Sequence, residues 1–193
     1  MRIDVAVPDG KQGAWSVETF TVSESEAKLE RARAMFSFSS RGRGVPEGNY
    51  KALKRNGSTI MSNTPDEISD QLEFIRKAKT GGHILINGLG LGVTLTAILK
   101  SDTIESVTVI EKSQDVISLV APSFFNDTRV KIICADALEY KPPRGVHYSA
   151  VWHDIWDNIC SDNIPEMTKL HKKYRRKTAW QGSWCKHECQ RNR

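Results

Sequence analysis

Three glycines spaced two apart, Gly88, Gly90 and Gly92, interrupt the apolar run "HILINGLGLGVTLTAILK" at residues 83–100. Glycine tolerates positive φ and lets a ligand approach bare backbone. The flanking residues read as a strand ending and a helix beginning, and a helix start offers free N–H groups and the positive end of a dipole. Together these features predict a nucleotide-type ligand. The dinucleotide fingerprint G-x-G-x-x-G/A would need Gly or Ala at position 93, where this chain has Val93. Glu111, 19 residues after Gly92, closes the next predicted strand. A carboxylate in that place can accept from both hydroxyls of a ribose. Further on, "WHDIWDN" gathers His153, Asp154 and Asp157. A histidine beside carboxylates can serve as a general base, although one packed among Trp152 and Trp156 can equally be structural. His171, Cys185, His187 and Cys189 carry ligating atoms, but C-x-H-x-C is not a usual zinc spacing, and no metal site is predicted. No nucleophile elbow and no Walker-type loop is present.

The elements that must hold these residues follow from periodicity. The unbroken apolar run around Ile84, Leu85 and Ile86 fits a strand buried on both faces, and Leu95, Ile98 and Leu99 then fall at helical spacing. Strands over 83–87, 105–111, 129–134 and 146–153 are interleaved with helices over 93–100, 113–120 and 162–175. That order predicts a doubly wound, mostly parallel α/β sheet. Ahead of it, "TPDEISDQLEFIRKAKTGG" predicts a helix. Thr64 and Glu67 form a capping box, Pro65 takes the first position, and Ile68, Leu72, Ile75 and Ala78 form the inward stripe before Gly81-Gly82 stop it. The N-terminal third reads differently. Residues 15–22 alternate as a half-buried strand, and 24–36 carry Ala27, Leu29, Ala32, Met35 and Phe36 at rough helical spacing. Residues 37–49 have loop composition, and Asn56-Gly57 marks a β-hairpin. The expected division is a small β appendage over residues 1–63 and a sheet domain over 64–193.

Composition is that of an ordinary globular chain, with 39% apolar and 26% charged residues among 193. No apolar stretch approaches the ~18 residues of a membrane span, and the N-terminus lacks a signal-peptide pattern, which predicts a cytoplasmic protein with its four cysteines as thiols. The net charge of +5 concentrates in "KLHKKYRR" at 169–176 and in the last residues. Such a basic end can bind nucleic acid or be a solvated helix face.

The segments "ILINGLGLG", "VTVIEK", "IICADALEY" and "YSAVWHDIWD" resemble the successive signatures of class I S-adenosylmethionine-dependent methyltransferases, and are most similar to the spermidine-synthase-like branch. The resemblance spans 83–157 and, more weakly, the hairpin at 50–67. It implies a Rossmann-like fold with S-adenosylmethionine as cofactor. By position, Gly88, Gly90 and Gly92 would pass under its amino-acid and ribose part. Glu111 would bind the ribose hydroxyls, Lys112 would flank the adenine, and Asp136, with Ala137 beside it, would accept from the adenine amino group. Asp154 would face the reacting centre, with Asp157 and His153 as further candidates there.

Two departures bear on the reaction. Leu91 stands where spermidine synthases carry an acidic residue, which argues against aminopropyl transfer although Asp154-Ile155-Trp156-Asp157 keeps that family's Asp-x-x-Asp. The chain also looks C-terminally shortened, since only 40 residues follow His153. That would leave strand 146–153 as an apolar edge needing cover, by the tail with its Trp180 and Trp184 or by a second copy of the chain. The leading expectation is methyl transfer to an unidentified acceptor. The alternatives are aminopropyl transfer and a catalytically lapsed, cofactor-binding interaction protein.

Overall fold

A computed structural model describes residues 2–36 and 44–191. Most of the loop expected over 37–49 lies outside them, as do the side chains of Met35 and Phe36. Residues 3–7 belong to no strand or helix, and Ile3, Val5 and Val7 are buried. The first sheet is antiparallel, in the order β1 (Gly10–Gln12), β2 (Trp15–Val22), β3 (Gly48–Arg55), β4 (Ser58–Ser62). Helix α1 (Glu24–Phe36) links β2 to β3 through the undescribed stretch. The β3–β4 turn is made by Asn56 at φ +50° and Gly57 at φ +81°, the two positive angles that a type I′ turn requires. Of the apolar residues expected to face inward on α1, Ala27 is buried but Leu29 is 52% exposed. Ala32 is exposed as well, so Ala27 is the one buried residue among the described side chains of this helix.

Helix α2 (Pro65–Ala78) follows, burying Ile68, Phe74, Ile75 and Ala78. Its expected capping box does not form. The Thr64 side chain makes no cap bond, and the Glu67 carboxylate reaches past it to accept from the backbone N–H (2.6 Å) and hydroxyl (2.8 Å) of Ser62. Ser62 offers two donors there, against the single Thr64 N–H of a capping box.

The second sheet comprises β5 (Gly82–Asn87), β6 (Ile104–Glu111), β7 (Val130–Cys134), β8 (Tyr148–His153) and β9 (Thr178–Ser183), all parallel, in the order β7-β6-β5-β8-β9. The chain winds outward from β5 through β6 to β7, then returns to β8 and β9 on the other side. Helices α3 (Val93–Ile98), α4 (Gln114–Val120) and α5 (Ile164–Tyr174) occupy the crossovers, and α6 (Lys186–Arg191) ends the described chain. This is a doubly wound, Rossmann-like α/β sheet with a separate small antiparallel sheet before it. The order reverses between β5 and β8, which opens a crevice at their carboxyl ends. Ile3 and, from the first sheet, Val17 and Leu53 share one core with Ile68, Ile86, Val109 and Trp152.

Strand 146–153 is not an open edge. Residues 178–183 pair with β8 from Tyr148↔Thr178 to His153↔Ser183 as a fifth parallel strand. Trp180 stacks on Trp152 at 6.4 Å between centroids, and Phe74 of α2 stacks on Trp152 at 5.3 Å. Gly182 makes room for this stack, since a Cβ there would lie 2.6 Å from the Trp180 ring.

Candidate active site

The crevice at the sheet's reversal point holds a cleft of about 740 Å³. Its floor is the loop between β5 and α3. Gly88 sits at φ +99°, and a Cβ on it would lie 1.8 Å from the Asp154 carbonyl oxygen, so no side chain fits. A Cβ on Gly90 would lie 2.3 Å from Met61 Sδ, and the Leu91 N–H donates to that sulfur at 3.0 Å. Gly88 and Gly90 line the cleft, whereas Gly92 faces away from it. Gly92 is the N-cap of α3 at φ +75°, and its missing Cβ makes room for the Phe124 ring.

Along the carboxyl ends of the strands come the acidic residues. Glu111 closes β6. Its Oε2 accepts from the Leu89 N–H at 2.9 Å and its Oε1 from the Ser113 N–H at 2.8 Å, which ties the glycine loop to the start of α4. A carboxylate has about four acceptor positions, so two remain for a ligand. Just past β7, Asp136 accepts from Lys112 Nζ at 2.8 Å and from the Leu138 N–H at 2.8 Å. Lys112 beside it holds the Asp136 carboxyl below its usual range, and Asp136 in turn raises Lys112. Ala137, 4% exposed, lines the wall next to them.

Asp154 follows β8, its N–H donating to the Asn87 carbonyl at 2.8 Å. Desolvation among the surrounding protein pushes its carboxyl up to about 7, and the carboxylates of Glu67, Asp70 and Glu111 add to the shift. Asp157 lies at the mouth, exposed, in an ion pair with Arg55 of β3, whose guanidinium sits 5.3 Å over the Trp15 ring. Eight carboxylates line the cleft against two cations, Arg55 and Lys112.

His153 does not reach the cleft. Strand alternation turns it to the face that Val151 shares, towards α5. There it is fully buried, with Nδ1 2.7 Å from Asn87 Nδ2 and Nε2 3.3 Å from Gln181 Oε1. Burial lowers its pKa to about 3. A histidine kept neutral behind the sheet cannot take a proton from a group in the cleft, so its place in the expected catalytic set falls away. His171 bonds the Ser183 hydroxyl at 2.8 Å, and the Cys185 thiol contacts Asp70 at 3.4 Å.

Two sets of cleft residues escaped the sequence reading. The appendage supplies Trp15, Leu53, Arg55, Ile60 and Met61, and the first turns of α2 supply Asp66, Glu67, Asp70 and Gln71. Burial raises the Glu67 pKa above its ordinary value. Gln71 is 3% exposed, and its Oε1 has no donor. The available signal was the run of carboxylates in "PDEISD", which propensity alone explains as a helix N-terminus.

No family model and no curated protein matches the chain. Solved structures similar to it include one described as a caffeoyl-CoA O-methyltransferase from Staphylococcus aureus, 21% identical at a TM-score of 0.44, over 57% of this chain and 52% of that one. Another is the plantazolicin methyltransferase BpumL in complex with SAH, 20% identical at a TM-score of 0.40, over 58% and 40% of the two chains. A third is the N-methyltransferase NodS from Bradyrhizobium japonicum WM9, 13% identical at a TM-score of 0.48, over 65% and 75%. The chain spans about half or less of the first two of these. No helix among the described residues is long and apolar enough to cross a membrane.

Proposed function

We propose that the chain binds S-adenosylmethionine in this cleft and transfers its methyl group to an amine, with residues 64–193 as the catalytic unit and 1–63 closing the mouth. One observation carries the cofactor assignment. At the reversal point of the sheet, Gly88 and Gly90 leave the floor bare while Glu111 stands at the end of the neighbouring strand with two acceptor positions to spare. These residues fit a ribose lying across the loop, and the Lys112–Asp136 pair with Ala137 fits a flat base beyond it. When bound, the cofactor would supply an electrophilic methyl on a sulfonium. The protein's part is alignment to within about 3–3.5 Å, and removal of a proton where the acceptor must lose one. Asp154, near its midpoint at neutral pH, is suited to that second task.

The α2 wall of the cleft points to the acceptor's class. Asp66, Glu67 and Asp70 belong to α2 and are not among the residues assigned to the cofactor. With the undonated oxygen of Gln71 they favour a ligand that carries N–H groups and positive charge. Aminopropyl transfer is the second reading, favoured by Asp154 and Asp157 standing together in the cleft at the Asp-x-x-Asp spacing. Against it, Leu91 is fully buried in the core where that reaction's family carries a carboxylate. A lapsed cofactor-binding protein would keep the Glu111 side of the cleft and show no turnover.

The test is to incubate the protein with S-adenosylmethionine and a panel of mono- and diamines and to identify the nucleoside product by mass. S-adenosylhomocysteine with a methylated amine is the expected result. Methylthioadenosine would favour the second reading, and unchanged cofactor with every acceptor would overturn transfer altogether.

A further inference from the structure

Six of the 28 Lys and Arg residues stand at the end of the sheet opposite the cleft. Strands β8 and β9 start side by side, with the Tyr148 N–H donating to the Lys177 carbonyl at 2.7 Å. The segment leading into β9 carries Arg175, Arg176 and Lys177, and the turn leading into β8 carries Arg144, so both enter the sheet at this end. On the other flank of β8, β5 starts at Gly82, where an added Cβ would lie 2.3 Å from Ser149 Oγ. Just before it, Lys77 and Lys79 close α2. Lys177 is partly buried, and the other five are exposed. None of the six pairs with a carboxylate among the described residues. No Asp or Glu occurs in residues 140–153 or 167–187, which contain both turns. Lys77 also complements the α2 dipole, and Arg175 to Lys177 follow the C-terminus of α5, but Arg144 lies in a turn outside any helix and has no such duty.

We propose that this amino-end face docks on the phosphate backbone of duplex nucleic acid, without reading its sequence. Three neighbouring strands about 4.8 Å apart give the face a width of roughly 10 Å, enough for about three phosphates of one strand at ~3.4 Å of axial rise each. An apolar partner or a membrane is disfavoured by the absence of greasy side chains there. Among the described residues the exposed large hydrophobics are Leu29 on α1 and Phe125 after α4, neither of which adjoins β8 or β9. Single strands are disfavoured too, since Tyr148 and Tyr174 are buried and cannot serve as stacking platforms, which leaves the exposed ring of His147 alone at the start of β8. The acidic cleft faces away, so the docked duplex is a support for the protein and not its methyl acceptor.

The test is fluorescence anisotropy with a labelled 20-base-pair DNA duplex at 50 and 200 mM salt. It compares the wild type with the triple variant Arg144→Glu, Arg175→Glu, Arg176→Glu. Micromolar binding is expected for the wild type at 50 mM salt, with log K falling against log salt at a slope near −3. The variant should bind at least tenfold more weakly with a shallower slope, while its melting temperature and its S-adenosylmethionine affinity stay at wild-type values. Failure of the cofactor to bind either protein would count against the catalytic reading and leave this comparison intact. Equal duplex affinity of wild type and variant would overturn the proposal, as would the absence of wild-type binding at 50 mM salt. Wild-type binding to poly-glutamate or to phosphatidylserine vesicles as tight as to the duplex would also overturn it.

Discussion

Asp154 and His153 are adjacent in sequence and opposite in chemistry. The aspartate leaves the end of β8 into an acidic cleft, and its carboxyl is held near 7. Turnover should therefore rise with pH through about 7 as the carboxylate forms. Asp154→Asn should cut turnover by ~10²-fold and abolish that rise while leaving S-adenosylmethionine affinity within a few-fold. Steady-state rates between pH 5.5 and 8.5, with calorimetry at one pH, check both halves. Buried His153 stays neutral down to about 3, whereas an unfolded histidine protonates near ~6.5. Between those values the unfolded chain binds the extra proton, so His153 removes stability as pH falls below ~6.5, by about 1.4 kcal/mol per pH unit. His171, lowered to about 4 by its burial, acts in the same direction, while protonation of Asp154 opposes both. His153→Asn should flatten the acid slope of a urea-denaturation series by about one proton. The two residues could not be told apart in "WHDIWDN", because which faces the cleft depends on where β8 ends.

At the scale of elements, the glycine loop and β9 show what patterning reveals and what it hides. The turn from β5 into α3 was legible because only glycine fits its angles, and Gly92 illustrates the point. Gly92→Ala puts a Cβ at φ +75° against the Phe124 ring, and should destabilise the protein by about 1–3 kcal/mol in chemical denaturation. β9 was not legible. "TAWQGS" is short, holds a glycine and carries two apolar side chains, so its strand character comes from the β8 ladder and the ring stack with Trp152 and Phe74. Deleting residues 178–193 should uncover the apolar edge of β8 and give aggregation by light scattering, where a merely solvated tail would leave a monodisperse protein with an unchanged melting temperature.

Across the whole molecule, two sheets of different kind share one core and enclose one cleft. The α/β order was readable from the alternation of apolar runs, and so was the hairpin from Asn56-Gly57. That the first sheet brings Met61 against the glycine loop and Arg55 and Trp15 to the cleft was not readable, since packing of one sheet against another leaves no periodic trace. The proposed activity requires the cleft between them to be built for an adenosyl cofactor. Calorimetric titration of S-adenosylmethionine into the wild type and Glu111→Ala tests this most directly. The wild type should bind, and the variant should bind more weakly by about 1.5–3 kcal/mol, the worth of charge-assisted hydrogen bonds to the ribose. Equal affinities for the two proteins, or a wild type that takes NAD and ignores S-adenosylmethionine, would contradict it.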